Sequence, residues 1–190
     1  MTDYKPEKKG RVNPFFLPYN TPHDTVPFDR ITLADYEEAM LEGIRRENEQ
    51  IEKIINNPEA PTFENTIIPE DEVKGRKHYY DLLNRVESAF FNMLSAETND
   101  KMDALAQKMS PILTRHGNDV SLNPKLFERI KYVYEHHREL TPEENRLLEN
   151  SYDGFVRSGA LLDEAGKDRL RRLTEEASML SLQFSQNLLK

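Results

Sequence analysis

The five histidines are the first residues to examine for chemistry. A catalytic zinc site is most simply built from two His one helical turn apart, with a Glu beside the first acting as general base. None of the five has that arrangement. His23 precedes Asp24, His78 precedes Tyr79 and His116 precedes Gly117, while His136 and His137 are adjacent. On a helix, neighbours diverge by about 100°, so the last two cannot easily share one metal. The spacing instead predicts that His116, His136 and His137 interact with the dipole and exposed carbonyls of helix C-termini.

Nucleophilic and phosphate chemistry leave no stronger mark. The chain has no Cys, no Gly-x-Ser-x-Gly elbow and no Ser set beside a His in a strand-turn-helix context. Its seven Gly are scattered singly, so no Gly-rich loop cradles a nucleotide. The acid pairs Glu143/Glu144 and Glu175/Glu176 read as first-turn and solvent-face residues of helices, and Phe90 and Phe91 read as core. No catalytic residue and no metal ligand is assigned to any position, and the substrate-contacting residues are left unassigned.

The elements around these residues are helices. Residues 13–31 come first, carrying Pro14, Pro18, Pro22 and Pro27 among Phe15, Phe16, Tyr19 and Phe28, a spacing that forbids helix and strand ladders alike. They form an extended arm whose aromatics are expected to lie in a groove on the helical body. Residues 1–12 are expected to be a flexible polar start. From Thr32, paired with Asp35 as a capping box, Leu33, Tyr36, Met40, Ile44, Ile51 and Ile55 mark one helical face up to Asn56, Asn57 and Pro58. Thr62 caps a short turn that brings Phe63 and Ile67 inward. A second long helix is expected to begin near Glu70 to Val73 and to carry Tyr79, Leu83, Val86, Phe90 and Leu94.

A third helix opens at Thr98 or Asn99, contains Pro111 as an expected kink, and should end at Gly117 and Asn118. Asn123 and Pro124 begin the fourth, with Phe127, Ile130 and Tyr134 on its face. Thr141, Pro142 and Glu144 then supply an N-cap, a Pro at the first helical position and the reciprocal capping-box acid, the strongest helix start in the sequence. That fifth helix uses Leu148, Tyr152, Phe155 and Val156 and ends near Gly159. Asp163 caps a sixth, whose stripe Leu170, Leu173, Ala177, Leu180, Phe184 and Leu188 runs toward Lys190 with no Gly or Pro to stop it. The stripe must be covered by something, so it is expected to be exposed in this chain, and the helix is expected to be part of a longer one. The predicted fold is all-α, a bundle of about six helices over residues 32–190 behind the arm, with sequential neighbours antiparallel.

The segments NPFFLPYNTPHDTVPFDRI (Asn13 to Ile31), NPEAPTFENTI (Asn57 to Ile67), FFNMLSAETND (Phe90 to Asp100), SPILTRHGNDVSLNPKLFERIKYVY (Ser110 to Tyr134) and LLENSYDGFVRSGALL (Leu147 to Leu162) resemble the N-terminal region of bacterial peptidyl-dipeptidases. These belong to the thimet oligopeptidase and oligopeptidase A family of zinc metallopeptidases. The resemblance extends from Asn13 to Lys190 and loosens over Pro69 to Lys77, which reads PEDEVKGRK. It implies an all-helical enzyme of two lobes around a narrow channel that admits short peptides. In that family a His-Glu-x-x-His helix and a later Glu hold zinc, and the Glu of the motif activates water. This chain has no His-Glu dipeptide. The resemblance therefore places the zinc outside residues 1–190, in a C-terminal catalytic lobe that would be this chain's partner. Residues 1–190 would shape the channel and be inactive alone. The alternative is a free-standing helical module that binds peptides or a protein without cleaving them.

Composition narrows the partners. The net charge of −8 and the interleaving of basic residues with more numerous acids argue against a nucleic-acid surface. Residues 1–11 lack the apolar stretch of a secretory signal, and no window reaches the ~20 apolar residues of a membrane helix. A cytoplasmic protein is expected, or a periplasmic one where a signal has been removed.

Overall fold

A computed structural model of the chain describes residues 10–72 and 81–188. Seven α-helices make up the body among these residues: α1 (Leu33–Ile55), α2 (Ile68–Asp71), α3 (Leu82–Ala96), α4 (Asp100–Ser121), α5 (Pro124–His136), α6 (Pro142–Arg157) and α7 (Glu164–Leu188). No strand is present among the described residues, as the sequence predicts. The polar start over residues 1–9 and the expected onset of the second long helix, with His78 and Tyr79, lie outside the described residues.

Helix starts follow the capping signals. The Thr32 N–H donates to the Asp35 carboxylate at 2.6 Å, and Asn99 accepts from the Lys101 and Met102 amides at 3.1 Å. Asn123 accepts from the Leu126 amide at 3.1 Å, and Thr141 and Glu144 bond reciprocally at 3.2 and 2.8 Å. Thr62 and Asn65 do the same around a short π-helical turn, Phe63–Ile67.

Helix α1 is the spine, because its two halves enter different cores. Its N-terminal half gives Tyr36, Ala39 and Met40 to a cluster with Leu82, Val86 and Phe90 of α3 and Met102, Ala106 and Met109 of α4. Its C-terminal half gives Ile51 and Ile54 to a second cluster with Phe63, Ile67, Phe127 and Ile130 of α5, and Leu148 and Phe155 of α6. The Arg129 guanidinium donates to the carbonyls of Asn57 and Glu59 and to the Asn65 side chain, fixing the α1–α2 connection to α5.

The arm runs across the first cluster. Phe15 and Tyr19 are buried, Phe16 is half-buried, and Phe28 stays 46% exposed. Phe15 meets the Tyr36 ring at 5.3 Å, and Tyr36 meets Phe90 at 5.2 Å. Arg11 bonds both carboxylate oxygens of Asp35 at 2.6 Å, and Arg30 donates to the Tyr19 carbonyl at 2.8 Å. Burial, then the nearby Tyr19 and Asp35, push the Tyr36 phenol up to about 12, so it stays neutral.

One boundary differs from the sequence reading. Helix α4 does not end at Gly117 and Asn118 but continues to Ser121, where the Leu122 amide closes it on the Asn118 carbonyl at 2.9 Å. The reason is tertiary. The Asn118 side chain donates to Thr174 Oγ1 of α7 at 2.8 Å, so its polar group serves the α4–α7 contact and leaves the helical backbone undisturbed.

Candidate functional site

Reactive or receptive groups come together at one buried place and along two surface grooves. The buried place is where α1, α3 and α4 meet. Gly43 makes it possible, since a Cβ there would lie 2.8 Å from the Leu83 Cα, and this close approach draws α3 onto α1. One helical turn further along α1, Glu47 reaches across to α4, and His116 Nε2 sits 2.7 Å from its carboxylate. Both side chains are largely buried, at 8% exposure for His116 and 12% for Glu47. Glu87 of α3 completes the set. Burial, followed by repulsion from Glu47, raises its carboxyl to about 7, while His116 opposes the shift.

His116 therefore does not act at a helix end as its sequence context predicts. It lies inside α4, and its partner is a carboxylate of another helix. The signal that would have found it is a match of two amphipathic faces 69 residues apart, which no local pattern carries. His136 and His137 do follow their expectation, with Nδ1 at 3.0 and 3.1 Å from the Tyr132 and Tyr134 carbonyls. His23 is exposed in the arm with a positive φ of 57°. Glu143 and Glu144 sit in the first turn of α6, and Glu175 pairs with Arg115 at 3.4 Å.

Zinc needs three or four donors around one point. Among the described residues no three His, Asp or Glu side chains converge in that way. His116 and Glu47 are committed to each other in a packed interior, and neither borders a groove on the α4–α7 or α1 surface. These residues do not fit a resident zinc. Glu47 and His116 tie α1 to α4, while Glu87 of α3 interacts with both through its charge alone.

The first surface groove, of about 360 Å³, lies between α4 and the C-terminal half of α7, lined by Gln107, Met179, Leu180, Leu182, Gln183 and Gln186 among others. Helices α4 and α7 run antiparallel, joined by Gln107–Gln186 at 3.2 Å, Arg115–Glu175 at 3.4 Å, Asn118–Thr174 at 2.8 Å and Asp119–Arg171 at 3.1 Å. Gln107 lies one turn before Pro111, which has no N–H to give the Gln107 carbonyl. The amide nitrogen of Gln186 is buried without a partner beside this groove. A second groove of about 370 Å³ lies on α1 between Phe16, Glu38, Leu41, Glu42 and Arg45. Both are open and mixed in polarity, and no nucleophile converges on either. No described helix is long and apolar enough to cross a membrane.

Comparison with known proteins finds relatives among bacterial peptidases. The chain is 39% identical over 175 residues to a dipeptidyl carboxypeptidase of Salmonella typhimurium, and 38% identical over 184 residues to that of Escherichia coli. These alignments take in 91% and 94% of this chain. Oligopeptidase A of Escherichia coli is a more distant relative, 22% identical over 180 residues. The chain spans about a quarter of each relative, 24%, 26% and 25% of their lengths. No protein-family model matches it.

Proposed function

From its homology to about a quarter of the dipeptidyl carboxypeptidases, we propose that this chain is the N-terminal helical lobe of a peptidase releasing C-terminal dipeptides from short oligopeptides. The observation that carries the reading is identity of 38 to 39% along nine-tenths of this chain, set against so small a share of the relatives. The lobe's part is shape. A helical wall without reactive groups limits the length of a bound peptide by sterics and orients it toward reacting groups supplied elsewhere.

The zinc of this reading belongs to the remaining polypeptide. His116 and Glu47 are engaged with each other, His136 and His137 bond backbone carbonyls, and no three His, Asp or Glu side chains among the described residues are arranged to hold a metal ion.

The test compares residues 1–190 with the product of the full reading frame on a blocked tripeptide, with a chelator and after adding zinc back. Dipeptide release is expected from the longer protein alone, abolished by chelation and restored by zinc. Turnover by the purified 190-residue chain would overturn the assignment of a wall without chemistry. Inactivity of both proteins would point instead to a helical binding module.

A further inference from the structure

Helix α7 is turned the opposite way from an ordinary amphipathic helix. The face on α4 carries Arg171, Thr174, Glu175 and Gln186, with Leu182 as its apolar contact to the first core. The apolar stripe points away from the bundle. Leu173 is 51% exposed, Leu180 57%, Phe184 66% and Leu188 71%. From Ala177 to Leu188 the helix also has no charged residue, in a chain that is 32% charged. A solvated helix face ordinarily carries charge, and a contiguous apolar one marks an interface.

We infer that the outer face of α7, Leu173–Ala177–Leu180–Phe184–Leu188, is the seat of the remaining polypeptide of the same protein, which packs an apolar, uncharged surface against it. This rests on the proposed function, through the three-quarters of each relative that lies outside the aligned region. A second copy is disfavoured, because two chains of net charge −8 must approach face to face. The groove against α4 borders the stripe at Leu180, so the docked segment also meets the amides of Gln183 and Gln186.

The test uses the full-length protein with Phe184→Cys, which places one thiol in a region that has none. Alkylation of that thiol is followed by peptide mass spectrometry in native and in urea-unfolded protein, at several protein concentrations. The native thiol is expected to react at least about tenfold more slowly, independently of concentration. Equal rates would overturn the inference, and so would protection that disappears on dilution, because a second copy would then be the cover. The readout does not depend on peptidase activity. An inactive protein with a protected thiol would refute the proposed function and leave this interface standing, and an active one with a free thiol would do the reverse.

Discussion

Glu87 shows how a side chain's neighbours set the sign of a pH effect. Its carboxyl is raised from the ordinary 4.5 to about 7, first by burial and then by Glu47. The folded state therefore holds a proton that the unfolded state has lost between those two values. Stability contributed by Glu87 is fully present below about pH 4.5 and falls as pH rises through about 7. The loss is on the order of 1–2 kcal/mol once solvent screening of a part-exposed group is allowed for. Glu87→Gln should flatten that slope and raise the urea midpoint at pH 8, and an unchanged slope would show that Glu87 is not its source. The Glu47–His116 pair answers differently. His116→Ala leaves a largely buried carboxylate without its partner and should cost about 2–4 kcal/mol, whereas His116→Ala combined with Glu47→Leu should recover part of that in a double-mutant cycle. Both residues are plain in the sequence, but their pairing is invisible there because it joins α1 to α4.

At the scale of elements, two glycines in helices carry opposite expectations. A Cβ on Gly43 of α1 would lie 2.8 Å from the Leu83 Cα, so Gly43→Ala must force α1 and α3 apart and should destabilise by about 1–3 kcal/mol despite the better helix propensity of Ala. Gly117 of α4 has nothing within 4 Å of its would-be Cβ, so Gly117→Ala should stabilise by about 0.5–1 kcal/mol. Thermal midpoints of the two variants, moving in opposite directions, would check both together. Read alone, Gly117 followed by Asn118 resembles a stop signal, and α7 overrides it by engaging the Asn118 side chain. The caps at Asn123 and Thr141 needed no such help, since each is satisfied by its own first turn.

At the scale of the whole molecule, α1 joins two cores and α7 closes only the first of them, through Leu182. The two leucines on opposite faces of α7 should therefore respond unequally. Leu182→Ala should lower the stability of the 190-residue chain by about 1–3 kcal/mol, while Leu180→Ser should stay within about 0.5 kcal/mol. Equal losses in denaturant titrations would mean that α7 is rotated from the orientation described. The proposed interface adds a second prediction at this scale, protection of position 184 by polypeptide outside residues 1–190.

The sequence by itself determined the helices and most of their ends, because caps, Pro positions and 3.6-residue periodicity are written within a few neighbouring residues, and it shows directly that Cys and a His-Glu dipeptide are absent. It also marked the α7 stripe as a surface seeking cover. Only the tertiary structure decided that Phe15 and Tyr19 are buried while Phe28 is not, that α4 runs past Gly117, that His116 belongs to Glu47, and that the α7 stripe faces away from the bundle. Each of these is settled by a contact between segments far apart in the chain, and a one-dimensional pattern holds no record of which face of one helix meets which face of another.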